Sequence, residues 1–248
     1  MPIHFKNLYK RFGAHTVLDG VDLEVRDGEC FFVIGASGAG KSVLIKHLIG
    51  LLRPDAGDIF LDGAEVSRLS EKALYPVRMR CAMVFQNATL FDSMSCVENV
   101  ALPLRAHRGL GMAAALREAE RRLDQVHMRE FRHAFPAELG DGMRKRVAIA
   151  RALTLDPSYV LFDEPTTSLD PISARRVDKL IDELSRDYGV TSIVVSHDLT
   201  SIFTIASRIA MLYQGQVRLL GTPDEFRQSH DPVVQQFIGG RAEGPMEV

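Results

Sequence analysis

Short alternating apolar runs open the chain: Ile3 and Phe5, then Val21, Leu23 and Val25, separated by Gly13 and Gly20. This period of two predicts antiparallel strands joined by turns. Residues 30–34 differ, being continuously apolar and ending at a glycine. The segment that follows, with Val43, Leu44, Lys46, His47 and Leu48, has helical spacing, so the pattern predicts a buried strand, a tight loop and a helix. Pro54, Gly57 and Gly63 punctuate a further strand-rich stretch around 59–61, ending in a strand near 83–85. Between Asn87 and Ala137 the pattern turns helical, through 97–100 and an Ala-, Leu-, Glu- and Arg-rich segment at 113–126. From Arg144 onward helical and buried-strand patterns alternate at 147–153, 159–162, 172–186, 192–195 and 199–206. Such alternation predicts a parallel sheet with helical crossovers. The fold class expected is therefore α/β: a parallel-sheet core, an antiparallel β-subdomain, and a helical subdomain inserted over about 87–140. These parts form one domain over 1–240, and the polar tail 241–248, with Gly244 and Pro245, is expected to be loosely ordered.

Composition narrows the class without changing this outline. The 248 residues are 46% apolar and 25% charged, as in ordinary globular domains, which excludes disorder, collagen-like structure and a coiled coil. The formal net charge is −2, and local basic clusters (Arg117, Arg121, Arg122; Arg144, Lys145, Arg146) do not make any domain basic enough to point to nucleic acid. Cys30, Cys81 and Cys96 lack C-x-x-C spacing, so neither a disulfide framework nor a zinc site is indicated. The opening residues lack the layout of a signal peptide, and no apolar run approaches the ~20 residues of a membrane span. A cytoplasmic location is expected, and any membrane part of the function must come from another polypeptide.

The sharpest chemical pattern is Gly35-Ala36-Ser37-Gly38-Ala39-Gly40-Lys41-Ser42, a G-x-x-x-x-G-K-[ST] run between a predicted strand and a predicted helix. Glycines let backbone N–H groups approach phosphates closely, and the following helix turns its positive end toward them. Lys41 would neutralise the β- and γ-phosphates of ATP, and the Ser42 hydroxyl would ligate Mg²⁺. Far downstream, the apolar strand Tyr159-Val160-Leu161-Phe162 ends in Asp163-Glu164. Alone, this pair could equally be a solvated strand end. Beside a phosphate loop, Asp163 fits a residue that holds Mg²⁺, and Glu164 one that orients or deprotonates the attacking water.

With these motifs in this order the sequence resembles the ABC ATPases, P-loop NTPases with a RecA-like core, over nearly its whole length. The resemblance implies that Gln86 is the loop glutamine that touches Mg²⁺ and senses a transmembrane partner. It implies that Asp170, in Ser168-Leu169-Asp170, belongs to the D-loop, and that His197 is the switch histidine contacting the γ-phosphate. Phe12 sits where the family stacks an aromatic ring on adenine. The family's Leu-Ser-Gly-Gly-Gln stretch should fall at Leu139-Gly140-Asp141-Gly142-Met143, and here the chain departs from it: Gly140 replaces the serine and Asp141 a glycine. That turn would complete the ATP site of a second subunit, so Asp141 brings negative charge toward a polyphosphate. At ~5 Å and an effective dielectric of ~20 the cost is roughly 3 kcal/mol per unit charge before screening. This predicts reduced turnover unless Asp141 points away or Arg144 and Lys145 offset it.

Within the family the segments Gln86-Asn87-Ala88-Thr89-Leu90-Phe91-Asp92-Ser93-Met94 and 98–105, the run Gly142-Met143-Arg144-Lys145-Arg146, and the stretch from Gly221 to Gly240 are similar to the ATPases of Mla-type phospholipid transport systems. That resemblance implies a homodimer with two ATP molecules between subunits, bound under a transmembrane permease on the inner face of the cytoplasmic membrane. It also implies an MCE-domain lipid-binding subunit and a small STAS-domain protein as partners. Two rival functions stand beside it. One is an ATP-binding regulatory subunit whose turnover is impaired at Gly140 and Asp141. The other is a non-transport ABC ATPase, which the short span 87–139, lacking sustained heptads, disfavours.

Overall fold

The computed structural model describes residues 3–246. The chain forms, in order, β1 (Ile3–Phe12), β2 (His15–Val25), β3 (Cys30–Ile34), α1 (Lys41–Leu48), β4 (Ala56–Leu61), β5 (Ala64–Glu65), α2 (Glu71–Arg80) and β6 (Cys81–Val84). There follow α3 (Cys96–Arg108), α4 (Met112–Gln125), α5 (Asp141–Leu153), β7 (Tyr159–Asp163), α6 (Pro171–Tyr188), β8 (Thr191–Val195), α7 (Leu199–Ile205), β9 (Arg208–Tyr213), β10 (Gln216–Gly221), α8 (Pro223–Gln228) and α9 (Pro232–Ile238).

Two sheets carry the strands. One is antiparallel, in the order β2-β1-β4-β5, and the other has six strands in the order β10-β9-β3-β8-β7-β6. In the larger sheet β3, β6, β7, β8 and β9 run parallel, while β10 pairs antiparallel with β9 at one edge. The expected parallel sheet thus carries one antiparallel hairpin. Strand β3 is buried on both faces, which explains its unbroken apolar run. Phe32 and Ile34 face a core shared with α3, α5 and α6, and Phe31 and Val33 face a core shared with α1 and the smaller sheet. The Asp19 N–H donates to Gly215 O at 2.8 Å, tying β2 to the turn between β9 and β10.

Two readings of the sequence need correction. The stretch read as strand-rich up to residue 85 contains α2, whose N-cap Ser70 accepts from the Ala73 N–H; its internal Pro76 hid the helical period, and only Leu74 of the helix is buried. The tail is folded back as far as Met246, which is buried and donates its N–H to Gln236 Oε1 at 2.7 Å; the last two residues of the expected tail lie outside the described residues. Within the inserted region, α3 begins at a capping box in which Ser95 N–H donates to Glu98 Oε2 at 2.8 Å. One turn on, the buried Asn99 side chain accepts from Phe91 N–H and donates to the carbonyls of Phe91 and Met94, fixing the loop between β6 and α3. Among the described residues no helix is long and apolar enough to cross a membrane.

Candidate active site

The loop between β3 and α1 is built around glycines that close packing requires. At Gly35, φ is +144° and an added Cβ would lie 2.3 Å from the Leu212 carbonyl oxygen. At Gly40, φ is +94° and a Cβ would meet Val17 O and Leu18 at 2.9 Å. The buried Lys41 folds back across the loop, its Nζ donating to Gly35 O at 2.8 Å and Ala36 O at 2.9 Å. Burial pulls its pKa down, while Glu164 and Asp163 act in the opposite direction. An ammonium has three hydrogens, so one donor is left for a ligand oxygen.

The ends of β7 and β8 face this loop. Asp163 is buried and accepts from the Ser42 hydroxyl at 2.5 Å, with Lys46 Nζ at 3.8 Å from its other oxygen. Glu164 has a left-handed backbone, φ +51°, held by its N–H donating to Val195 O at 2.9 Å. Its side chain is oriented from two sides: Thr167 Oγ1 donates at 3.1 Å, and His197 Nδ1 lies 2.9 Å from the same Oε2. Phe12 at the tip of β1, Gly35, Lys41, Gln86, Glu164 and His197 line one cleft of about 820 Å³, with Ala36, Ser37, Gly38 and Ser42 beside them. Phe12 is 47% exposed, and Lys10 Nζ lies 5.3 Å from its ring centroid. Ala39 packs behind the loop, 3.3 Å from where a Cβ on Gly35 would stand.

The remaining predicted residues gather elsewhere. Gly140, Asp141, Gly142 and Asp170 line a separate cavity of about 420 Å³ together with Ser168 and Ser173. Gly140 caps α5 with φ −69° and open space around its Cβ position, so a serine would fit there. A Cβ on Gly142, by contrast, would come within 2.8 Å of Ser173, so that glycine is set by packing on α6. The Asp141 carboxylate pairs with the Arg144 guanidinium, which also donates to Leu139 O at 3.0 Å. Asp170 caps α6, accepting from the N–H groups of Ile172 and Ser173 at 3.0 Å.

Several residues of the site were not anticipated. Thr167 stands three residues after Glu164, a spacing the sequence displays without any mark of purpose. Phe237 of α9 also lines the cleft. Lys145 of α5 is buried, and its Nζ donates to the carbonyls of Phe85, Gln86 and Glu164. Behind His197, Asp198 caps α7 and meets Arg175 of α6 at 2.5 Å, while Arg175 also pairs with the buried Asp178 at 2.7 Å. The Ser201 hydroxyl sits between these carboxylates, 3.0 Å from Asp178 and 2.9 Å from Asp198.

The family model described as "ABC transporter" matches residues 18–167, the segment that holds the phosphate loop, Gln86, and the carboxylates Asp163 and Glu164 at the end of β7. The chain belongs to the ABC transporter family. Among its curated relatives, the intermembrane phospholipid transport system ATP-binding protein MlaF of Haemophilus influenzae is 38% identical over 98% of this chain and 92% of that protein. The probable ribonucleotide transport ATP-binding protein mkl of Mycobacterium leprae is 36% identical over 98% of this chain and 70% of that one. Among solved structures, the dimeric ATP-binding cassette MJ0796 in a post-hydrolysis state bound to ADP and Pi superposes with a TM-score of 0.81 at 30% identity, over 89% of this chain and 98% of that one. The chain is thus an ATP-binding subunit of an ABC transporter and an ATPase with the ABC cassette fold.

Proposed function

We propose that this chain is the ATP-hydrolysing subunit of a Mla-type phospholipid transporter. It works as a homodimer beneath a transmembrane permease on the inner face of the cytoplasmic membrane, with an MCE-domain subunit and a STAS-domain protein as further partners. The observation that carries the reading is the convergence of Lys41, Ser42, Gln86, Glu164 and His197 on one cleft, with Asp163 directly behind Ser42. The glycine loop 35–40 and the free Lys41 donor bind the phosphates, and Phe12 offers an exposed ring to the base. A hydroxyl and a carboxylate in contact form a hard oxygen donor set suited to Mg²⁺. Ser42 and Asp163, with Gln86, would hold that ion, which when bound neutralises phosphate charge. Glu164, aimed by Thr167 and His197, orients the attacking water and accepts its proton, and His197 contacts the terminal phosphate.

The turn 140–142 and Asp170 line a cavity apart from the phosphate-loop cleft, which suits a role toward a second copy of the chain. The pairing of Asp141 with Arg144 weighs against the alternative of a regulatory subunit with impaired turnover, because the charge expected to repel phosphate is offset one helical turn away. Phospholipid as cargo is supported by the near end-to-end match to a protein named for phospholipid transport, although a relative named for ribonucleotide transport is almost as similar.

Reconstitution of the chain with its permease decides between these cargoes. ATP-dependent transfer of a fluorescent phospholipid between vesicles, absent with Glu164→Gln, is the expected result. Transfer of ribonucleotides in place of lipid, at equal ATP consumption, would refute the lipid assignment and leave the ATPase reading standing.

A further inference from the structure

Strands β6 and β7 are parallel neighbours, paired up to Val84 and Phe162. Beyond those positions the two segments no longer pair with each other, one entering the loop that carries Gln86 and the other running past Asp163 into the turn that carries Glu164. Carbonyls past a strand end have lost their ladder partners and need other donors. One side chain supplies them all. Lys145 of α5, 4% exposed, sends its Nζ to Phe85 O at 3.3 Å, to Gln86 O in a short bond, and to Glu164 O at 3.4 Å.

A buried ammonium is costly unless its hydrogens are satisfied, and here three N–H donors meet three carbonyls from two separate loops. The helix that bears Lys145 starts at the turn 140–142, one turn earlier. Two loops that the sequence separates, around residues 86 and 164, therefore meet at a single nitrogen on the helix that residue 141 opens. The same region is open to one side: Gln86, Leu90, Asp141, Arg144 and Lys145 line a further cavity of about 510 Å³. A displacement of the Gln86 loop pulls on the same ammonium that holds the Glu164 backbone.

We propose that Lys145 is a positioning residue that couples the permease-facing Gln86 loop to Glu164, so that movement of one shifts the other; this rests on the roles given above to Gln86 and Glu164. Burial lowers its pKa to about 8, with Asp163, Asp141 and Glu164 opposing that shift, in keeping with a nitrogen held away from water.

Hydrogen exchange on the full chain tests the coupling, comparing wild type with Lys145→Met, which keeps the stem and loses the donors, and Lys145→Gln, which keeps two donors. Lys145→Met is expected to speed exchange in 86–92 and 164–168 together by about tenfold, with α1 and β3 unchanged. Affinity for ATP measured without Mg²⁺ should stay within about twofold, because Lys145 touches no atom of the phosphate loop. In the hydrolysis assay kcat falls at constant KM, and Lys145→Gln recovers part of both effects. No acceleration in one of the two loops overturns the proposal, as does acceleration spread evenly over α3, α4 and α5, which would mark a purely structural role. Glu164→Gln separates the two levels: if it hydrolyses ATP as wild type does, the role of Glu164 is wrong, whereas exchange that stays slow in Lys145→Met defeats the coupling alone. Exchange is read whether or not the isolated chain turns over.

Discussion

Glu164 and His197 stand in contact across the ends of two adjacent parallel strands, with Nδ1 2.9 Å from Oε2. The contact exists because the Glu164 N–H is bonded to Val195, two residues before His197. The carboxylate is thereby aimed at the same cleft that Lys41 and Ser42 line. Glu164→Gln keeps the size of the side chain and removes the proton acceptor, so it should lower kcat by ~10²-fold or more. ATP affinity should hold within a few-fold, as read by phosphate release and nucleotide titration on the same samples. Equal loss of both would show that Glu164 organises the cleft rather than acting on water.

The ion pair between Asp141 and Arg144 makes a prediction about a departure from the family pattern. Because Arg144 offsets the carboxylate, Gly140→Ser with Asp141→Gly should change turnover by less than about tenfold. Arg144→Ala should lower it further than that double change alters it, since it frees the Asp141 charge and the Leu139 carbonyl together. Adding Asp141→Gly to Arg144→Ala should then restore much of the loss. A double-mutant cycle on steady-state hydrolysis reads this directly, and additive effects would show that the pair does not govern the charge at the turn.

Phe12 offers an exposed ring at the rim of the cleft, with Lys10 against it and Lys10 in turn fixed by Arg53 O at 2.8 Å and Asp55 at 3.1 Å. If the ring stacks on the base, Phe12→Ala should weaken ATP binding by roughly 5- to 100-fold, the worth of one aromatic–base stack. Binding of tripolyphosphate, which has no base, should be unchanged. Competition titrations with both ligands test this, and parallel losses would place Phe12 in the loop's packing instead.

Burial raises the Asp178 carboxyl to about 6, with the Ser201 hydroxyl and Arg175 holding it lower than burial alone would. A group that binds its proton more tightly folded than unfolded adds stability below its unfolded pKa and loses it as pH rises through the folded one. The Tm of wild type relative to Asp178→Asn should therefore fall, by roughly 5 °C, between pH 4 and pH 7. Carboxylates with lowered values, such as Asp198 and Asp231, slope the other way but are common to both proteins. A pH-independent difference in calorimetry would mean that Asp178 stays ionised throughout.

The phosphate loop and β7 were legible because each is local: a glycine pattern framed by a buried strand and a helix, and an apolar run ending in carboxylates. The edges of the fold were less so. Helix α2 was masked by Pro76, and the pairing of β9 with both β3 and β10 depends on partners up to about 180 residues away that no periodicity reports. Among site residues, Gln86 and His197 could be placed only through the order of family motifs. Lys145 could not be placed at all. Read alone, Arg144, Lys145 and Arg146 form a basic run with a solvated face, yet the middle one is buried, because helix geometry turns neighbours about 100° apart. For Asp141 the sequence left open whether the charge points away or is offset by Arg144 and Lys145, and the structure pairs it with Arg144.

The left-handed backbone at Glu164 has a consequence for how such a site persists over generations. A residue with a Cβ costs on the order of 1 kcal/mol in that conformation, and glycine would relieve it. Heat tolerance and chemistry thus pull in opposite directions at this one codon. A laboratory library screened only for survival at high temperature should therefore admit glycine at this position, whereas one screened for ATP turnover should keep the carboxylate if Glu164 acts on water.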